Sequence, residues 1–406
     1  MARDKVGLMG AAPIGFDEAA ARLPGVEALL GTETVALANA PGRVLAEPLY
    51  ARQDSPSQLT AAMDGYAVCD ATTAPDQLLR VTGESRAGLG FPGIVSAGEA
   101  VRIFTGAPMP AGTDRCIVQE HAIREGGNVR FTAGYGPAWH VRATASDFVA
   151  GTLLLDRGTR LSPQAMIAAA ASDVARVTVA VRPRVAIVGT GDELVAPGTA
   201  ADRPGAIPES VSFGVAAMVA EVGGLVVRRA TGRDELPALQ ELAADLLEAA
   251  DLVIVTGGAS VGDHDLARPM FAPYGLELLV DKVAIKPGKP VWLGRAGGRW
   301  VLGLPGNPTS ALVTAALFLR PLLAALQGQN AQERLRWLRL PLVAPLPAVG
   351  GRETFVRAQW DGDGLLPLAN QQSGAQAALA AADWLIRRPA GSGPAALGET
   401  VTALAF

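Results

Sequence analysis

Three of the four lysines in the chain, Lys282, Lys286 and Lys289, stand within the stretch DKVAIKPGKP (281–290); the fourth is Lys5, and the other 31 of the 35 basic residues are arginine. An ammonium group is a compact charge without the fixed two-pronged fork of guanidinium, so such a cluster suits an anion that is small or that moves during a reaction. If 281–286 is a strand, Lys282, Ala284 and Lys286 share one face and Val283 and Ile285 take the other. Pro287 and Gly288 suit the two central positions of a type II turn. The alternative is a solvated edge strand guarded by lysines.

Three further stretches are polar and glycine-rich: GTGDEL (189–194), TGGASVGDHD (256–265) and GLPGNPTS (303–310). Each follows an apolar run that reads as a strand, and glycine amides in such turns form anion-binding concavities. Asn307 is placed to cap a following helix with Pro308 as its first residue, which offers free N–H groups to an anion. The alternative is that all three are tight strand-to-helix connections. Glu193, Asp234 and Asp265 lie at or near predicted strand ends, and together they are a candidate magnesium set, since that ion takes one or two carboxylates plus phosphate oxygens. Singly, each is also a residue type found as a helix cap or in a loop. His264 reads as a loop histidine, and His121 and His140 carry no site. No hydrolase triad or zinc site emerges. GTGDEL has Leu194 where a dinucleotide fingerprint needs its third glycine, and Pro290 follows Lys289 where a P-loop needs Ser or Thr.

The elements that must position these residues can be read from periodicity. Residues 15–50 begin with a helical pattern at FDEAAARL and continue into the connector APGRVLAEPLYA (40–51). Residues 51–149 carry the short alternating runs LRVTGE, EAVRIFTGA, CIVQEHAI and NVRFTA, the mark of a small β-rich unit. A helix is expected at SPQAMIAAAAS, with Ser162 as cap and Pro163 as first residue. From Arg184 the rhythm is βαβ: RVAIVG, LVVRRA, DLVIVT and WVLGL read as strands, and SFGVAAMVAEV, LPALQELAADLLEAA and PTSALVTAALFLRPLLAAL as helices. This pattern predicts an open, mostly parallel sheet covered on both faces, with ligands beyond the carboxyl ends of the strands. Short strands are expected over 329–406.

A composition with 49% hydrophobic and 18% charged residues is that of a globular chain. A net charge of −4 argues against bulk attraction to nucleic acid or anionic membrane. No stretch of about 18 apolar residues is apparent that would span a bilayer. Residues 1–16 carry no apolar signal-type segment, and Cys69 and Cys116 give no disulfide framework, so the cytoplasm is the expected compartment.

The motifs APGRVLAE (40–47), AAMDGYAV (61–68), IFTGAPMPAG (103–112), TGDEL (190–194), TGGASVGDHD (256–265), KVAIKPGKP (282–290) and GLPGNPTSA (303–311), in that order, make the sequence resemble the molybdopterin molybdenumtransferase family of MoeA type, related to the E domain of gephyrin. The resemblance runs from about Phe16 to the C-terminus. It implies a multidomain α/β and β fold: an N-terminal elongated domain (1–50 plus 150–183), an inserted β-rich domain (51–149), a central open α/β sheet domain of molybdopterin-binding type (184–328) and a C-terminal β domain (329–406). It also implies a homodimer in which the α/β domain of one subunit faces the MDGYA-bearing domain of the other.

The implied activity is insertion of molybdate into adenylylated molybdopterin, with release of AMP and molybdenum cofactor and with Mg2+ as cofactor. Lys282 and Lys286 would neutralise molybdate and the pterin phosphate. Pro305, Gly306 and Pro308 would shape a rigid anion loop, and Gly257, Gly258, Ser260 and Lys289 would bind substrate. Glu193, Asp234 and Asp265 would serve magnesium, the adenylate or active-site order. Asp64, Thr105 and Asp147 would complete the cleft across the dimer, and Arg352 and Ser373 match positions linked to molybdate. Candidate protein partners are the molybdopterin adenylyltransferase and apo-molybdoenzymes.

The chain departs from the family pattern in three places: Pro208-Glu209-Ser210-Val211 stands for a more usual Tyr-Asp-Ser-Asn, His140-Val141-Arg142 for Asn-Val-Arg, and SQLTAAMDG (57–65) for a lead-in with proline and serine. These bear on pterin or nucleotide contacts and leave a non-catalytic cofactor carrier or dimeric scaffold as the alternative to a transferase. A stand-alone adenylyltransferase corresponds only to 184–328. Tungstate, close to molybdate in size and charge, is an alternative oxyanion.

Overall fold

The computed structural model describes residues 12–25, 28–257 and 266–406. Near the N-terminus, Thr32–Ala36 pairs antiparallel with Arg176–Ala180, and Leu49–Tyr50 pairs with Leu153–Leu155. Helix Pro163–Ala171 lies beside them, and the Ala165 N–H donates to the Ser162 side chain at 3.3 Å, as the capping pattern predicts. Between these paired stretches sits a six-stranded sheet ordered Arg115–Val118, Gly65–Val68, Glu99–Ile103, Leu79–Ser85, Asn128–Phe131, Ala122–Glu125. Its alternation follows the pleat: in NVRF, Val129 and Phe131 are fully buried while Asn128 and Arg130 are partly exposed.

The βαβ rhythm from Arg184 forms a sheet ordered Leu225–Gly232, Arg184–Thr190, Leu252–Thr256, Arg299–Leu304, Trp292–Ala296, Glu277–Val280. The first four strands are parallel and the last two antiparallel. Successive residues feed opposite layers. Val185, Ile187, Leu252 and Ile254 pack with Val215 and Val219 of helix Val211–Glu221, whereas Ala186, Val188, Val253 and Val255 pack with Leu239, Ala243 and Leu246 of helix Leu236–Ala249. Burial on both faces is why these strands are continuous apolar runs.

The stretch after Asn307 is one 18-residue helix, Pro308–Ala325. It widens to a π turn over Ala315–Leu319, just before Pro321, which has no amide hydrogen to give the preceding turn. Its length and apolar character would suffice to cross a membrane, which corrects the expectation that no such stretch exists; 83% of it is buried inside the protein, and core packing accounts for its composition.

The C-terminal sheet is ordered Ile285–Lys286, Glu353–Trp360, Trp384–Arg388, Thr400–Ala405, Leu338–Pro341, with Leu365–Pro367 beside Glu353–Trp360. The lysine stretch therefore joins this sheet, with Ile285 opposite Glu353 and Lys286 opposite Thr354. Regular pairing covers only Ile285–Lys286, plus a bridge from Val283 to Ile14, so the expected 281–286 strand is shorter than its alternation suggests. Phe16 ties the layers together: its ring meets Phe318, Phe355 and Trp337 edge-on at 5.9, 5.1 and 6.1 Å between centroids.

Candidate functional site

Because Arg184–Thr190, Leu252–Thr256 and Arg299–Leu304 are neighbouring parallel strands, the three glycine-rich loops leave the sheet at one edge. There the backbones touch. Gly257 has φ +95°, and a Cβ on it would lie 2.5 Å from the Thr190 carbonyl oxygen; a Cβ on Gly306 would lie 3.2 Å from the Gly257 Cα. Only glycine fits such an approach with a positive φ. The loops enclose a cavity of about 660 Å³ lined by Glu193, Asp234, Gly257, Pro305, Gly306, Asn307 and Pro308, together with Glu209.

A larger cavity, about 1730 Å³, carries Lys286, Lys289, Arg352, Arg388, Ser310 and Ser373. The two cavities meet at Pro290 and Gly374, which line both. The lysine face arises as the alternation predicts: Val283 and Ile285 are fully buried, and Lys286 and Lys289 are exposed. Gly288 has φ +107°, as the turn reading requires, and its missing side chain lets the turn rest on the long helix: a Cβ would lie 2.2 Å from Thr314 Cγ2. The hydrogen bond in this stretch lies two residues later than a Pro287–Gly288 centre implies, from the Val291 N–H to the Gly288 carbonyl at 3.1 Å, around Lys289–Pro290. Arg352 donates to the Ile285 carbonyl at 3.5 Å, a long contact, and Ser373 accepts the Thr309 N–H at 3.2 Å through its carbonyl. Ser373 thus satisfies one of the orphan amides of the long helix. Asn307 caps with its backbone, accepting from Ala311 at 2.9 Å, and not with its side chain as expected.

Arg357 lies beneath this loop and is 1% exposed. It donates to the carbonyls of Asn370 at 3.0 Å and Gln372 at 3.3 Å, and the Gln371 side chain clamps its backbone at both N–H and C=O. Burial pulls this guanidinium below its ordinary value. Sequence reading passed it over because it stands in a regular strand, where an arginine reads as solvated. Glu209 was also missed as a capping residue. It is buried and accepts the Ser212 N–H at 2.7 Å and the Ser212 hydroxyl, while Arg229 donates to that hydroxyl at 3.0 Å. Glu209, standing where the usual pattern has Asp, therefore gives helix Val211–Glu221 a carboxylate cap. Its signal was an acid three residues before a serine at the start of a helical run.

The remaining predicted residues separate into groups. Lys282 is half-buried and lines neither cavity; its carbonyl accepts the Ile14 N–H at 3.1 Å. Asp64 and Thr105 come together in the β-rich sheet: the Thr105 N–H and hydroxyl each donate to Asp64 Oδ1 at 2.7 Å. These bonds hold the Asp64 carboxyl below its ordinary value. Asp147 lies beside the Ser55–Phe148 bridge, its N–H donating to the Ser55 carbonyl at 2.9 Å. None of these three lines either cavity of the same chain. Gly258, Ser260 and Asp265, with His264, lie outside the described residues. Among the described residues no group of three His, Cys, Asp or Glu is arranged to hold a metal ion by itself. Glu193 and Asp234 do face one cavity, and two carboxylates fit magnesium when phosphate oxygens supply further positions.

Comparison with known proteins follows the same order along the chain. Family models described as the MoeA N-terminal region (domain I and II), a probable molybdopterin binding domain and the MoeA C-terminal region (domain IV) match residues 14–172, 186–325 and 339–406. A Nostoc protein named molybdopterin molybdenumtransferase is 34% identical over 342 residues, covering 82% of this chain and 78% of its own length. One from Haemophilus influenzae with the same name is 35% identical over 300 residues, 74% of each chain. Crystal structures of molybdopterin biosynthesis MoeA proteins from Pyrococcus horikoshii superpose over 97% of this chain, with TM-scores of 0.76 at 30% identity and 0.82 at 27% identity, and are covered to 99% and 100%. With its regions matched in order over nearly its whole length, the chain belongs to the MoeA family.

Proposed function

We propose that this protein is a molybdopterin molybdenumtransferase, which inserts molybdate into adenylylated molybdopterin and releases AMP and molybdenum cofactor. The observation that carries the reading is the meeting of two differently equipped cavities at Pro290 and Gly374. One offers ammonium, guanidinium and hydroxyl groups to an oxyanion; the other offers glycine loops, a helix start and the Glu193 and Asp234 carboxylates to a phosphoanhydride and its metal ion. In this reading Lys286, Lys289, Arg352 and Ser373 bind molybdate and the terminal pterin phosphate. Pro305, Gly306 and Pro308 shape the loop under the adenylate, Gly257 lines the same cavity, and Gly258 and Ser260 are proposed to bind it. Lys282 adds positive charge from behind Lys286.

Glu193 and Asp234, with Asp265, would hold magnesium, which when bound neutralises phosphate charge and polarises the anhydride. The residues of the chain hold the adenylate and the oxyanion in place beside it. Asp64, Thr105 and Asp147 enter from a second subunit, because their own chain keeps them away from the cavities. We further infer the domain division 1–50 plus 150–183, 51–149, 184–328 and 329–406, which the sheet memberships support apart from Ile285–Lys286, whose strand joins the C-terminal sheet. A cytoplasmic location is supported by the free thiols of Cys69 and Cys116. The adenylyltransferase that supplies the substrate and the apo-molybdoenzymes that take the product are the partners this chemistry calls for.

The test is AMP release from adenylylated molybdopterin, with and without molybdate and magnesium, followed by activation of an apo-molybdoenzyme. Molybdate-dependent AMP release with an active product is expected. Tight pterin binding without AMP release would overturn the transferase reading in favour of a carrier.

A further inference from the structure

A third cavity, of about 890 Å³, lies apart from the site above and shares no lining residue with it. It forms where five stretches of the chain meet: 157–160, the end of helix Val211–Glu221, Arg320, 328–338 and 404–405. Five of its 16 lining residues are arginine, Arg157, Arg160, Arg320, Arg334 and Arg336, where the overall arginine frequency would put about one. Glu221 and Glu333 are the only acidic residues in the lining, so a protein of net charge −4 concentrates three surplus positive charges here.

These guanidiniums are poorly neutralised. Among the described residues the only ion pair made by the five is Arg320 with Glu221, at 3.4 Å; Arg320 also donates to the Ala405 carbonyl at 3.2 Å, and its Nε is buried without a hydrogen-bond partner. Arg160 donates to the Glu221 carbonyl at 2.7 Å and Arg334 to the Gln329 side chain at 2.5 Å, both neutral acceptors. Arg157 and Arg336 are exposed, and their side chains make no hydrogen bond or ion pair among the described residues. Burial, with Arg160 close by, pulls the Arg334 guanidinium below its ordinary value. Positive charge is held together here at a cost that, among the described residues, only the Arg320–Glu221 pair offsets.

We propose that this cavity is a binding site for a small polyphosphate-bearing molecule, separate from the candidate active site. The volume is that of a small-ligand pocket. Phosphate oxygens accept from several guanidiniums at once, which a single carboxylate does not. The contrast with the active site is chemical: lysines serve an anion that moves, whereas rigid guanidinium forks suit one held in a single orientation. An occupant would join several distant parts of the chain, giving the fold a point at which a phosphorylated metabolite fixes their arrangement. This inference does not rest on the transferase reading.

The probe is inorganic tripolyphosphate, titrated calorimetrically into a K286A/R352A variant in which anion binding at the candidate active site is weakened. One-site binding is expected to persist, and adding R157E/R336E is expected to weaken it about a hundredfold, since both charges at the cavity are reversed. Both positions are exposed; circular dichroism verifies the fold, and R157Q/R336Q serves if the reversal does not fold. Absence of binding in K286A/R352A, or binding indifferent to both pairs of substitutions, would overturn the proposal.

Discussion

Lys286 lines the larger cavity as an exposed charge, whereas Arg357 lies buried beneath it, bonded to the Asn370 and Gln372 carbonyls. Lys286 contributes little packing, so Lys286→Ala is expected to abolish molybdate-dependent AMP release while unfolding stability stays within about 0.5 kcal/mol. Retained turnover in a folded variant would make the lysine stretch a solvated edge and nothing more. Arg357 is a positioning residue. Replacing it with Met removes a desolvated charge but leaves the Asn370 and Gln372 carbonyls without their donor, and these opposing effects are each about 1–3 kcal/mol. Arg357→Met is therefore expected to leave stability within about 1 kcal/mol while AMP release falls about tenfold or more, with partial rescue by Lys. Equal losses of stability and turnover would reduce it to a structural part.

The Asp64 carboxyl, held below its ordinary value of 3.8 by the Thr105 N–H and hydroxyl, stays ionised at neutral pH. Its folded value is depressed, so its contribution to stability is complete above that ordinary value and is lost as pH falls through the lower folded value. Thr105→Val removes the hydroxyl donor and keeps the amide. The Asp64 titration followed by carboxyl NMR should move up towards 3.8, and an unmoved midpoint would rule out the hydroxyl bond.

Among the elements, the three parallel strand ends matter most, because their loops contact one another through backbone. Gly257→Ala imposes a side chain at φ +95° and drives its Cβ towards the Thr190 carbonyl. A destabilisation of about 2–4 kcal/mol is expected in denaturant titration, with weakened binding of the adenylate because Gly306 rests on the same backbone. A value below about 0.5 kcal/mol would mean that the loops are not packed together. The short strand Ile285–Lys286 has the complementary task. It leaves the α/β layer and adds to the C-terminal sheet, so the pairing that fixes Lys286 also brings Arg352 within reach.

For the molecule as a whole, Asp64 and Thr105 sit in one sheet and Lys286 at another, and neither cavity of the chain contains both groups. If the site is completed across a dimer, two inactive variants can repair each other. Asp64→Asn and Lys286→Ala, unfolded together and refolded at equal amounts, give about half heterodimers, each with one intact site of two, so about a quarter of wild-type turnover should return. No recovery, from a mixture shown by mass spectrometry to contain heterodimers, would place each site within one chain.

Much of this was legible from residue order. Buried parallel strands announce themselves as apolar runs such as RVAIVG and DLVIVT, Ser162-Pro163 marks a helix start, and glycines after strands mark the loop edge, because these signals act between residues close in the chain. The lysine face was legible for the same reason, since alternation is a property of consecutive residues. Which edge that strand would join was not. Ile285 meets Glu353 only because the C-terminal sheet presents a free edge there, and no local pattern encodes a partner 68 residues away. Lys282 drops out of the lining, Arg357 becomes a buried support and Glu209 a helix cap through the same kind of long-range choice. Short-range chemistry wrote the parts and their faces; packing between distant segments set which charges share a cavity.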